Sequence, residues 1–140
     1  MIKITNERSV SINDVLHLYQ AVGWTNYTNQ PQMLEKALSH SLATYLARDD
    51  EEIVGLVRLV GDGFSSVFVQ DLIVLPSYQR QGIGSNLMKE ALADYKDAYQ
   101  IQLATEQTEK NLGFYRSLGF ETLSTYDCTG MIWVDRKKFK

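Results

Sequence analysis

The sequence predicts an α+β fold: a mixed, mostly antiparallel sheet of six to seven strands, flanked by helices, with one βαβ crossover at its centre. Three observations predict it. Short β-like runs crowd residues 43–75, separated by the acidic stretch Asp49 to Glu52 and the turn signal Gly61-Asp62-Gly63, which reads as antiparallel hairpins. An apolar strand, an amphipathic helix and another strand then follow in succession, as a parallel crossover requires. Two helical patterns precede this core, and a helix with two β-like runs comes after it.

Taken in order, Ile2 to Thr5 alternates as a short strand. Ile12, Val15, Leu16 and Tyr19 fall at helical spacing between Ser11 and Ala21, with Ser11 or Asn13 as the cap and Gly23 as the stop. The loop WTNYTNQ leads to Pro31, well placed in the first turn of a second helix carrying Met33, Leu34, Ala37 and Leu38. TYLAR, IVGLVRLV and VFVQDLIVL read as three strands, the last apolar almost throughout, as expected of a central strand covered on both faces. From Gly84 to Tyr95, Leu87, Met88, Ala91, Leu92 and Tyr95 share one helical face. IQLAT is a strand and Glu109 to Ser117 a helix; FETLST and GMIWVDR close the chain as two strands, with Trp133 a core residue.

Composition narrows the function. A net charge of −3 gives no support to nonspecific binding of nucleic acid or an anionic membrane, and the basic run Arg136, Lys137, Lys138, Lys140 reads as a solvated tail. The single cysteine, Cys128, excludes an internal disulfide and a cysteine-based zinc site and reads as a core thiol. His17 and His40 lie too far apart for metal spacing, so no metal is expected. With no bilayer-length apolar run and no linker, the expectation is a single cytoplasmic domain over residues 1–140, monomer or homodimer.

The chemistry concentrates in LIVLPSYQRQGIGSNL, residues 72–87. Two glycines, Gly82 and Gly84, open a helix directly after a strand. A helix N-terminus exposes unpaired N–H groups and partial positive charge, which a phosphate satisfies, and glycine lets the phosphate approach the backbone. Arg80 adds a cation and Ser85 a hydroxyl. The Gly-Lys-Ser/Thr ending of the P-loop is absent, and Leu87 stands where a dinucleotide fingerprint needs its third glycine.

With Gln79, Gly82 and Gly84 in the pattern Gln/Arg-x-x-Gly-x-Gly/Ala, this loop resembles the acetyl-coenzyme-A loop of the GNAT N-acetyltransferase superfamily. GFYRSLGF, residues 113–120, resembles a second element of that family. The resemblance is specific over residues 72–120 and rests on element order elsewhere. It implies acetyl-coenzyme A as acyl donor, with its pyrophosphate on Gln79, Arg80, Gln81, Gly82, Ile83, Gly84 and Ser85. Pantetheine would lie along the backbone of Leu72, Ile73 and Val74, with the Val74 N–H near the thioester carbonyl. Asn111, Phe114, Tyr115 and Arg116 would complete the coenzyme site. Asn111 would stand in for a family asparagine at the position Thr108 occupies here.

The implied reaction moves an acetyl group to a primary amine by direct attack. The amine must shed a proton, since an alkylammonium with pKa near 10.4 is no nucleophile, and the departing thiolate must gain one. The resemblance places Tyr115 beside the coenzyme sulfur as general acid. The base is Asp71, the acid nearest the pantetheine strand, or Glu106 beyond the next strand. The acceptor site falls to Trp24, Tyr27 and Arg58, with Tyr126, Asp127, Met131 and Trp133 on the last strands. Arg58 would pair with Asp62 or Asp71 or meet a substrate carboxylate. Aromatic faces with nearby carboxylates suit an amine cation, and the partner is a small-molecule or peptide amine. The alternative is a coenzyme-A-binding sensor or docking module without turnover; a nucleotide-phosphate binder is a weaker third.

Overall fold

Five strands form one sheet in the computed structural model, which describes residues 1–135 and 137. The chain divides into two compact units, Met1–Leu103 and Ala104–Lys140, each described by itself. In the first unit the order is β1 (Ile2–Asn6), α1 (Ile12–Ala21), α2 (Thr25–Thr28), α3 (Pro31–Ser39), β2 (Ala43–Asp49), β3 (Glu52–Gly61), β4 (Ser66–Val74), α4 (Ile83–Asp94) and β5 (Gln100–Leu103). The strands lie side by side in sequence order; β1 to β4 are antiparallel and β4–β5 is parallel. The predicted hairpins and the central crossover through α4 are both present.

Local chemistry accounts for these elements. Ser11 caps α1, its hydroxyl accepting from the Asn13 N–H at 3.2 Å, and Pro31 occupies the first turn of α3. Asp62 closes the β3–β4 turn by accepting from the Ser65 hydroxyl and from the N–H groups of Phe64, Ser65 and Ser66, which together hold its carboxyl well below the usual range. Gly61 has φ +126, and a Cβ there would lie 2.3 Å from the Ser66 carbonyl, so only glycine closes this turn.

The sheet is covered on both faces. Val15, Leu18 and Tyr19 of α1 and Leu34 and Leu38 of α3 pack on Leu46, Leu56 and Ile73. α4 covers the other face with Ile83, Leu87, Met88 and Ala91 buried. Gly55 permits that approach, because a Cβ on it would already meet Leu87 at 3.2 Å. Tyr45 of β2 ties down the far end of α4, its hydroxyl donating to Asp94 at 2.7 Å.

In the second unit α5 (Glu109–Ser117) is followed by a 3₁₀ turn, Leu123–Tyr126. This corrects the strand count from six or seven to five. FETLST is not a strand: its backbone bonds are local, Thr125 N–H to Thr122, Asp127 N–H to Ser124 and Cys128 N–H to Leu123. Side chains of Ser and Thr favour such turns by competing for the backbone, and Asp127 ends the turn at φ +57. Residues 131–135 of GMIWVDR also join no strand, and Arg136 lies outside the described residues, as do Lys138 and Lys140 of the basic run. β-propensity needs a partner ladder to act on. Without one Trp133 is 77% exposed and Cys128 is exposed, so neither is a core residue.

Candidate active site

The loop joining β4 to α4 has an unusual backbone. After the 3₁₀ turn Pro76–Tyr78, Arg80 adopts φ +66 and Gly82 φ +81, both left-handed. Left-handed residues set among ordinary ones turn successive N–H groups toward one side, forming a concavity for anions. Gly82 is the N-cap of α4, and a Cβ built on it would touch nothing within 4 Å. Glycine is therefore needed for its φ, and the space around it is open. The first intrahelical bond of α4 runs from the Asn86 N–H to the Gly82 carbonyl, so the N–H groups of Ile83, Gly84 and Ser85 belong to the unpaired first turn. The Ile83 side chain is buried, leaving only its backbone to that site.

Among the described strands, none pairs with the β5 side of β4 beyond Val69, which leaves an open edge beside this loop. β5 pairs with β4 from Ser66↔Gln100 to Val69↔Leu103 and ends there, whereas β4 runs on to Val74. Which groups face the open edge follows from the antiparallel ladder on the other side. The Leu75 N–H donates to the Val54 carbonyl at 2.9 Å, so Leu75 faces β3, and by alternation Ile73 does too. Leu72 and Val74 thus direct their N–H and C=O groups away from β3. The Gln79 side-chain amide donates to the Val74 carbonyl at 3.0 Å, in agreement with that direction. A register shift at Arg58/Leu59 leaves Gln70 as the extra residue of a bulge, just where the β5 pairing stops.

A buried polar network sits next to that bulge. Asp71 and Arg58 are 2% and 4% exposed. The Asp71 carboxylate accepts from Arg58 Nε at 2.7 Å, the Tyr19 hydroxyl at 2.8 Å and the Tyr27 hydroxyl at 2.9 Å. Arg58 spends its remaining nitrogens on the Ser41 hydroxyl and Tyr27 oxygen, both at 3.2 Å. Burial, then the Asp71 charge, raises the pKa of both tyrosines, which keeps them protonated as donors. Trp24 closes the cluster, its ring 6.1 Å edge-on from Tyr19 and 6.3 Å from Tyr27.

In the second unit Thr108 caps α5, its hydroxyl accepting from the Asn111 N–H, while the Asn111 amide donates to the Thr105 hydroxyl. Tyr115 stands edge-on to Phe114 at 5.0 Å and Phe120 at 5.9 Å. Burial pushes its hydroxyl up, so it stays protonated at neutral pH. Arg116 pairs with Glu121 at 3.0 Å on the surface.

Within the first unit, then, the structure brings Leu72 to Val74 and Gln79 to Ser85 into one continuous backbone feature, and joins Asp71, Arg58, Tyr27 and Trp24 in one cluster. Of the two partners open to Arg58, Asp71 takes it and Asp62 caps its own turn. Sequence reading missed Tyr19 and Ser41, which the helical pattern and loop chemistry did not distinguish, and Tyr78, whose hydroxyl donates to Asp49 at 2.8 Å. Among the described residues no cluster of His, Cys, Asp or Glu could hold a metal, and no helix is long and apolar enough to cross a membrane.

Comparison with known proteins gives a consistent picture. The family model described as the acetyltransferase (GNAT) domain matches residues 40–122. Serotonin N-acetyltransferase 2, chloroplastic, of Oryza sativa subsp. japonica is 33% identical over 95 residues, covering 65% of this chain and 48% of that protein. GCN5-related N-acetyltransferase 1, chloroplastic, of Arabidopsis thaliana is 27% identical over 134 residues, 94% of this chain and 66% of its own. The chain thus spans about half to two thirds of the length of these curated relatives. Among solved structures, a GNAT-family acetyltransferase from Streptococcus pneumoniae TIGR4 is 74% identical with a TM-score of 0.90, covering 97% of this chain and 99% of that one. A GNAT-family acetyltransferase from Elizabethkingia anophelis, crystallised with acetyl-CoA bound, shares the fold at 21% identity and a TM-score of 0.64, over 86% and 76% of the two chains.

Proposed function

Because the chain belongs to the GNAT acetyltransferase family, we propose that it is an N-acetyltransferase, carrying an acetyl group from acetyl-coenzyme A to a primary amine. The observation that supports this most is the β4 edge at Leu72 and Val74, open beside an anion-shaped loop. An extended amide chain and a pyrophosphate suit these two features in that order. When bound, acetyl-coenzyme A supplies the activated thioester. The Leu72 and Val74 backbone groups would hold the pantetheine amides as an added strand does, and the Val74 N–H would be available to donate to the thioester carbonyl oxygen. The Gly82–Ser85 N–H groups and Arg80 hold the pyrophosphate. For the second unit the proposal rests on the family resemblance alone: Asn111, Phe114 and Arg116 as coenzyme contacts, and Tyr115 as the acid that would protonate the departing thiolate.

Asp71 receives a different role from the one its sequence position suggested. A buried carboxylate already holding a guanidinium and two tyrosine hydroxyls is a poor acceptor for an amine proton. The proposal makes it a positioning residue that fixes Tyr27 and Arg58 at the bulge and leaves the amine proton to water. Trp24 and Tyr27, half-buried, then form the aromatic wall of the acceptor site, with Arg58 supporting it from behind. The same observation favours the competing reading, coenzyme-A binding without turnover, because the acid nearest the open edge is not free.

Assaying a panel of amines for release of free thiol from acetyl-coenzyme A separates the two readings. Turnover of at least one amine above the hydrolytic background is expected. Tight coenzyme binding with no amine turned over would establish the binding module instead.

Gly82→Asn tests the loop. Asparagine tolerates the left-handed backbone, so the melting temperature should fall by no more than a few degrees. Its side chain occupies the space a phosphate would use, so affinity for coenzyme A should fall about tenfold or more in calorimetric titration. Equal affinity in the two proteins would mean that the glycine serves only the turn.

A further inference from the structure

The segment Pro76–Gln79 joins the open strand edge to the anion-shaped loop, and one side chain in it reaches back to the sheet. The Tyr78 hydroxyl donates to Asp49 Oδ2 at 2.8 Å. Asp49 is the last residue of β2, paired with Glu52 across a two-residue hairpin and with Ile2 of β1, so its backbone is fixed by ladders on both sides. Tyr78 is itself held in its 3₁₀ turn by an N–H bond to the Leu75 carbonyl at 2.8 Å. The carboxylate pushes the Tyr78 hydroxyl up to about 12, while the hydroxyl lowers Asp49, so both stay in the protonation states that make this bond across neutral pH. Two residues later comes Arg80 at φ +66, a conformation that costs a non-glycine residue energy and persists only where its surroundings enforce it. The helix fixes the far end of the loop through Gly82. At the near end the Gln79 side-chain amide bonds to the Val74 carbonyl, on the open strand edge itself, and its backbone N–H to the Pro76 carbonyl within the same turn. Besides the backbone bond of Leu75 to Val54 of β3, the side-chain bond to Asp49 thus ties this end of the loop to a part of the sheet outside the site.

We propose that Tyr78, through Asp49, is a positioning residue for the pyrophosphate loop, holding Arg80 and the following N–H groups in their anion-binding conformation before the ligand arrives. The inference rests on the coenzyme-A reading of that loop. Removing the tether leaves the loop's groups intact but makes the ligand order them on binding, which weakens affinity without altering the groups that contact it.

The test is calorimetric titration of the intact protein and its variants with two probes, coenzyme A and ADP, the latter carrying the pyrophosphate without pantetheine. Tyr78→Phe should weaken both by the same factor, about three- to tenfold, with a melting temperature within two or three degrees of the wild type. Asp49→Ala should match it, the double variant should be no worse than either single one, and Asp49→Asn, which keeps an acceptor oxygen, should restore most of the affinity. A purely structural contact would lower the melting temperature and leave affinity per folded molecule unchanged; that result overturns the proposal. So does a loss confined to coenzyme A with ADP unaffected, because the effect would then lie on the pantetheine side. If Tyr78→Phe does not fold, the Asp49 pair of variants carries the same comparison. Failure of the wild type to bind either probe would instead defeat the coenzyme-A reading itself, a result distinct from equal binding by wild type and variants.

Discussion

Arg58→Met is expected to lower the stability of the protein by about 3–5 kcal/mol, roughly 10–15 °C in melting temperature, although it exchanges one long side chain for another. The reason lies in what is left behind. Asp71 is 2% exposed and would keep its two tyrosine donors while losing the guanidinium paired with it. Asp71→Leu should be comparably damaging, because it strands the Arg58 guanidinium, which is 4% exposed. The double variant Arg58→Met/Asp71→Leu is expected to be more stable than either single variant, since it removes both desolvated charges together. Urea unfolding of the four proteins measures the coupling directly. Single losses that simply add in the double variant would show that the pair is not energetically linked.

Tyr115→Phe is expected to lower kcat by about 10²-fold on whichever amine the panel identifies, while acetyl-coenzyme-A affinity stays within about twofold. General acid catalysis is typically worth 10²- to 10⁴-fold, and the lower end applies because a thiol with pKa near 8.5 leaves without much help. The ring's edge-on contacts with Phe114 and Phe120 survive the substitution, so folding should be little affected. If Tyr115 serves packing alone, the variant keeps full kcat per folded molecule. Water would then carry the proton to sulfur.

What is legible in the sequence is what local backbone chemistry writes. Gly82 and Gly84 after an apolar strand disclose the loop because left-handed backbone and close approach both select glycine, and Gly82 does stand at φ +81. Ser11, Pro31 and Asp62 mark element ends for equally local reasons. Long-range pairing was less readable. Arg58 had two candidate acids, and only the bulge and register of β3 against β4 place it opposite Asp71. Tyr19 reads as one more apolar residue on α1, because helical periodicity counts its ring and not its hydroxyl. The error in the last two strands has the same origin. GMIWVDR has the composition of a strand, but pairing depends on a partner ladder that its own residues do not encode. Tyr78 lay inside the quoted motif without a role, since nothing in sequence separation suggests that it meets Asp49.

In the proposed function, the open edge of β4 and the loop after it form one binding surface for acetyl-coenzyme A. Backbone amide chemical shifts recorded during a titration with coenzyme A test it residue by residue. The largest changes should fall on Leu72, Val74 and Gln81 to Ser85, saturating together with a single affinity. Amides on the β3-facing side, Ile73 and Leu75, should move less. Saturation with the main changes elsewhere, or none at millimolar ligand, would contradict the account.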